Sequence, residues 1–168
     1  MKIQKIMSCV CFNHQAEEAV RYYTKVFKEA KITSITRCGE DEPGGPKGAV
    51  RTVAFRLFGQ DFLAVNGGPH FKFTDGISLM VNCETQEEID GLWDRLSRGG
   101  KKIRCGWLTD KFGVSWQVTP AILADLMTDP DPEKSKRVMN AILRMRKLDI
   151  EGLKRAHAGR APALRRRR

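Results

Sequence analysis

The sequence lacks any run approaching the roughly 18 apolar residues that a membrane span requires. Its first residues do not follow the basic, apolar and small-residue order of an export signal. No membrane partner and a cytoplasmic location are therefore expected. Histidine is scarce, with three in all: His14 near a helix start, His70 in a loop and His157 near the C-terminus. Five cysteines (Cys9, Cys11, Cys38, Cys83 and Cys105) cannot all pair internally, and no two are spaced as CxxC. Reduced thiols are the expectation. Cys9 and Cys11 would share one face of a strand, a placement open to a soft metal. Zinc spacing asks for a CxxC pair or nearby imidazoles, so both are expected to be buried as small apolar side chains.

Charge of one sign is also missing from most of the chain. Residues 1–132 hold 17 Lys+Arg and 17 Asp+Glu, whereas residues 133–168 hold 13 and 3 and so carry the whole net charge of +10. A neutral body with a basic tail excludes a nucleic-acid-binding domain inferred from overall charge alone. At 168 residues the chain can bury a core without disulfide staples.

Residues 3–12 alternate as a strand, with Met7, Cys9 and Cys11 opposite Ser8, Val10 and Phe12. Asn13 is placed to cap a helix whose apolar stripe is Ala16, Ala19, Val20, Tyr23, Val26 and Phe27. A β-prone piece at 31–37, a polar loop at 39–48, and strands at 50–58 and 61–66 follow. Gly59-Gln60 is the expected two-residue hairpin turn. Ile77, Leu79, Val81 and Cys83 alternate with Ser78, Met80 and Asn82 in a further strand. Thr85-Gln86-Glu87-Glu88 is a capping box for a helix with the stripe Ile89, Leu92, Trp93 and Leu96, ended by Gly99-Gly100. A strand over 101–105 leads to the stretch Cys105 to Pro120.

That stretch combines the turn Asp110-Lys111-Phe112-Gly113 with a strand in which Val114, Trp116 and Val118 oppose Ser115, Gln117 and Thr119. Alternation fits either a strand with one wet face or the lining of a cavity. Asp110 could serve as a base, but its turn position favours bonding to nearby backbone. The order strand-helix-strand-strand-strand thus occurs twice, around 1–66 and 75–119. After Pro120 come a short helix or arm at 121–127 and a helix capped by Asp131 with Pro132 in its first turn. Val138, Ala141, Ile142 and Met145 form the apolar face of that helix. A last helix is capped by Asp149 and stapled by Leu148 and Leu153. These helices could bury their stripes on their own sheet or on a partner chain. Three regions result: 1–120, a helical extension at 121–159, and a basic, disordered tail at 160–168.

The order of several motifs resembles the vicinal oxygen chelate superfamily of glyoxalases, bleomycin-resistance proteins and extradiol dioxygenases. The relevant residues are Glu17-Glu18-Ala19 with Tyr22-Tyr23, Val26-Phe27, Pro43-Gly44-Gly45-Pro46-Lys47-Gly48 and Asn66-Gly67-Gly68-Pro69-His70-Phe71. Ile89-Asp90, Leu92-Trp93, Leu96, Gly99-Gly100 and the stretch Asp110 to Gln117 continue it. Within the superfamily the chain is similar to the PhnB-like branch, often labelled 3-demethylubiquinone 3-methyltransferase. The resemblance implies an α+β fold: paired βαβββ modules forming a cupped mixed sheet, commonly completed by a second chain, hence a homodimer.

Metal-using members of the superfamily carry one ligand on each of four cavity-facing strands. By strand register the matching positions are Ser8 (or Met7), Asn66 (or Val65), Ser78 and Gln117, none of them His, Glu or Asp. Hard divalent ions bind such neutral groups weakly, so neither a metal nor another cofactor is expected. The implied cup offers hydrogen bonds from Asn66, Ser78 and Gln117, with Phe71, Phe73, Trp107 and Trp116 as walls; the competing reading packs Trp107 and Trp116 in the core. Gly44-Gly45 and Gly67-Gly68 lie between strands, not at the strand-to-helix turn where many methyltransferases hold their methyl donor. Three functions remain. The chain binds or converts a small organic molecule without a metal, or sequesters one without chemistry, or associates with nucleic acid through its Arg165–Arg168 tail.

Overall fold

The protein is described by a computed structural model covering residues 4–160. It divides into two units, Met1–Phe73 and Thr74–Arg168. The first unit runs β1 (Ser8–Phe12), α1 (Ala16–Val26), β2 (Ala30–Arg37), β3 (Val50–Leu57) and β4 (Gln60–Asn66). The second begins β5 (Leu79–Cys83), α2 (Gln86–Leu96), β6 (Lys101–Lys102), β7 (Trp107–Thr109) and β8 (Ser115–Pro120). Their sheets have the orders β1-β4-β3-β2 and β5-β8-β7-β6, so the same topology occurs twice. In each sheet the first strand pairs parallel with the last, and the other neighbours are antiparallel. The doubled βαβββ order expected from the sequence is present.

Each helix seals one face of its own sheet. In the first unit α1 buries Ala16, Ala19, Val20, Tyr23 and Val26. The Tyr23 ring lies 6.3 Å from Phe55, which stacks on Phe62 at 5.2 Å. In the second, α2 buries Ile89, Leu92, Trp93 and Leu96 as their spacing predicts. The Thr85 hydroxyl accepts from the Glu88 N–H at 3.2 Å, and the Glu88 carboxylate accepts from the Glu84 N–H at 2.8 Å. This is the capping box with its return bond moved one residue outward.

Four local expectations are corrected. The first strand starts at Ser8, with residues 4–7 outside it and residue 3 outside the described residues, and Asn13 does not cap α1. The N-cap residue Gln15 supplies no side-chain bond. Instead Asn66, fifty residues on, accepts from the Ala16 N–H at 2.9 Å and donates to the Val50 carbonyl at 2.9 Å. The hairpin turn is Phe58-Gly59, with φ of 45° and 77°, because both central residues of this tight turn must be left-handed. The Phe58 ring sits edge-on to Phe27 at 5.8 Å. The strand expected at 101–105 shortens to two residues, since Cys105 turns the chain at φ 59°.

The C-terminal extension forms α3 (Leu123–Met127), α4 (Pro132–Arg144) and α5 (Ile150–His157). Asp131 caps α4 by accepting from Glu133 N–H at 2.9 Å, and Asp149 caps α5 by accepting from Gly152 N–H. Leu126, Val138, Ile142, Leu148 and Leu153 bury one another, so the stripes are satisfied within the second unit. Burial of such side chains contributes about 2 kcal/mol each. Gln86 ties the cluster to α2 by donating to the Leu148 carbonyl and accepting from the Ile150 N–H. Residues 161–168, where most of the basic tail falls, lie outside the described residues. Among the described residues no helix is long and apolar enough to cross a membrane.

Asn66 therefore stabilises the first unit as the cap that α1 lacks. Asn66→Ala is expected to cost about 1–2 kcal/mol, the usual range for a lost N-cap acceptor, read as a lower urea midpoint. An unchanged midpoint would contradict that role.

Candidate functional site

Side chains on β8 alternate between two environments. Trp116 and Val118 are fully buried, as are Leu108 on β7 and Cys83 on β5. Ser115, Gln117 and Thr119 point the other way, and each meets a polar side chain on or just before β5. The Ser115 hydroxyl lies 2.6 Å from the Asp75 carboxylate. The Gln117 amide nitrogen donates to the Ser78 hydroxyl at 2.8 Å. The Thr119 hydroxyl lies 3.0 Å from Asn82 Oδ1. Ser115 and Thr119 are 3% and 4% exposed, so Gln117 is the accessible member of this row.

Gln117 stands between Trp107, its ladder partner on β7, and Met80, its partner on β5. Paired residues share a face, so a half-buried indole, a half-buried amide and an exposed thioether form one strip. Ser78 engages only the amide nitrogen, which leaves Oε1 as a hydrogen-bond acceptor. The strip can hold a planar or apolar group against Trp107 and fix it through the Gln117 amide.

Of the six sequence-derived candidates, Ser78, Trp107 and Gln117 come together here. Trp116 lies on the opposite face of β8, is 1% exposed, and donates its indole N–H to Asp110 Oδ2 at 2.9 Å. Asn66 faces α1 with both ends of its amide engaged, whereas the β4 residue turned away from α1 is Val65. Phe71 belongs to the first unit, where its ring lies over Gly67. Phe73 also belongs there, packed edge-on to Phe12 at 5.3 Å. The reading from sequence missed Asp75, Met80 and Asn82. Alternation along β5 marks Met80 and Asn82, but Asp75 precedes the strand and no periodicity marks it.

Two residues with potential chemistry are committed elsewhere. Asp110 Oδ1 accepts from the Phe112 and Val114 N–H groups at 2.9 and 3.0 Å, while Oδ2 holds Trp116. Its carboxylate is a buried turn anchor. Burial, reinforced by Glu88 and Glu84, pushes the Cys83 thiol up to about 11, far from the range of an activated nucleophile. Among the described residues no group of three His, Cys, Asp or Glu gathers as a metal site. Hydroxyl, amide and thioether donors do not fit a hard divalent ion. A cavity of about 330 Å³ lined by Lys28, Glu29, Ala30, Lys31, Arg56 and Gly59 is open to solvent and remote in sequence and unit from this strip.

A family profile described as 3-demethylubiquinone-9 3-methyltransferase matches residues 4–119. No curated protein matches the chain. The PhnB protein of Bacillus cereus, itself described as a 3-demethylubiquinone-9 3-methyltransferase, is similar in structure. It shares 39% identity over 70% of this chain and 100% of its own, with a TM-score of 0.65. A Pseudomonas aeruginosa protein of 21% identity has the same fold, covering 70% of this chain and 98% of its own at a TM-score of 0.61. The two glycine pairs lack the strand-to-helix setting in which many methyltransferases hold their methyl donor. Gly44 and Gly45 join β2 to β3, and Gly67 and Gly68 leave β4, so neither glycine pair opens a helix.

The Asp110 anchor makes a specific prediction. In Asp110→Asn the amide can keep both backbone bonds but must turn its own N–H₂ toward the Trp116 indole N–H. A loss of about 1–3 kcal/mol is expected from this unpaired donor, measured by urea unfolding. Full retention of stability would show that the indole bond contributes nothing.

Proposed function

Because the chain belongs to the family described as 3-demethylubiquinone-9 3-methyltransferase, a PhnB-like branch of the vicinal oxygen chelate superfamily, we propose that it binds a small organic molecule, without a metal ion, on the Ser78–Gln117 strip of its second sheet. The observation that carries this reading is the half-buried Gln117 amide, fixed by Ser78, with a spare acceptor beside Trp107. Small-molecule sites pair apolar surface with a few polar groups whose orientation is fixed in advance. A rotamer already held by one hydrogen bond loses less freedom when a ligand makes the next.

The sequestering form of this function is favoured over conversion. Asp110 and Cys83 are held in structural roles, and Asp75, the carboxylate that meets β8 on the strip's own face, is bonded to the buried Ser115 hydroxyl. The chain acts as a homodimer in the cytoplasm on this reading. Ile77, 82% exposed and just ahead of β5, supplies apolar surface that a second copy would cover.

Gln117→Leu keeps the volume and removes the amide. It is expected to weaken binding of the tightest hit from a small-molecule screen by roughly tenfold, the worth of about one hydrogen bond. Its unfolding midpoint should stay at the wild-type value or above it. Unchanged affinity would remove Gln117 from the site.

A further inference from the structure

Two thiols stand on the side of β1 turned away from α1. Strand alternation puts Cys9 and Cys11 on one face, and the parallel ladder sets them beside Leu63 and Val65 of β4. The sequence favours burying both as small apolar residues, but Cys9 is exposed and Cys11 half-buried, and neither is in a disulfide. The Cys9 thiol is held above its ordinary pKa by partial burial and then by Cys11, two residues along the same strand face. The pair therefore shares one face of β1, two residues apart, with Cys9 exposed and neither thiol in a disulfide.

We propose that Cys9 and Cys11 form a two-coordinate site for a soft monovalent cation of the Cu(I) class. Thiolates select soft ions over hard ones. A zinc site needs four ligands in a tetrahedron, and no third His, Cys, Asp or Glu joins this pair among the described residues. Two sulfurs suffice for the linear S–Cu–S arrangement that a d¹⁰ monovalent ion accepts. Leu63 and Val65 add no oxygen donor that would favour a hydrated hard ion. As each S–Cu bond forms, the S–H proton leaves to solvent. Copper remains Cu(I) and nothing is oxidised or reduced. This site lies in the first unit and is independent of the Ser78–Gln117 strip.

The test uses the full, reduced chain under anaerobic conditions, titrated with Cu(I) held by a bathocuproine chelator. Wild-type protein should withdraw a single Cu(I) ion per chain, with a near-ultraviolet thiolate-to-metal band. Cys9→Ser and Cys11→Ser should each lose that uptake, while Cys105→Ser, which removes the half-buried Cys105, should retain it. X-ray absorption at the copper edge of the wild-type complex gives a readout that needs no variant and should show two sulfur neighbours. Failure of the wild type to compete with the chelator, retention by the Cys9→Ser or Cys11→Ser protein, loss in Cys105→Ser, or nitrogen or oxygen neighbours at copper would each overturn the proposal.

Discussion

The parallel pairing of each module's first strand with its last decides which side chains a helix covers. A parallel pair cannot be closed by a tight turn, so the chain must cross over between the two strands. Here α1 lies within the first crossover and α2 within the second. Each helix packs on one face of its sheet and leaves the other without a helical layer of its own module. The register then commits every residue by parity: Trp116 inward and Gln117 outward, Asn66 inward and Val65 outward. A slip of one residue would exchange these faces. The buried Asp110 turn holds β7 to β8 and keeps Trp116 on its own side.

The same parity explains how far the sequence could be read. The helices were legible because their stripes are long and strongly periodic, and the doubled topology followed from their positions. The opposition of Trp116 and Gln117 was legible too, from alternation within one strand. What failed were features set by distant residues. The cap of α1 comes from Asn66, so no local pattern shows it, and Asn66 looked like a cavity residue where its neighbour Val65 has the outward position. Asp75 reaches Ser115 across forty residues. The exposure of Cys9 depends on what covers the outer face of β1, which alternation does not report.

The C-terminal helices lie beyond the stretch shared with the family and have their own small core around Leu126, Val138, Ile142, Leu148 and Leu153. Besides the Gln86 side chain, backbone bonds attach them. The Cys105 and Gly106 N–H groups donate to the Met145 and Arg146 carbonyls at 2.9 and 2.8 Å. Gly106 has φ 80°, and a side chain there would meet the Val118 carbonyl, so glycine is what lets the chain pass so close to β8. The extension therefore braces the strand that carries Gln117. A rigid strand suits a site whose specificity rests on one oriented amide.

The most direct measurement of the ligand face is a proton–nitrogen NMR titration that follows the indole N–H resonances of Trp107 and Trp116 while a bound small molecule is added. The two rings lie on neighbouring strands but on opposite faces of one sheet. The account predicts that the Trp107 indole and the Gln117 side-chain amide shift with ligand while the Trp116 indole, bonded to Asp110, stays in place. Movement of Trp116 with Trp107 and Gln117 unmoved would place the ligand on the helix side of the sheet and contradict the account.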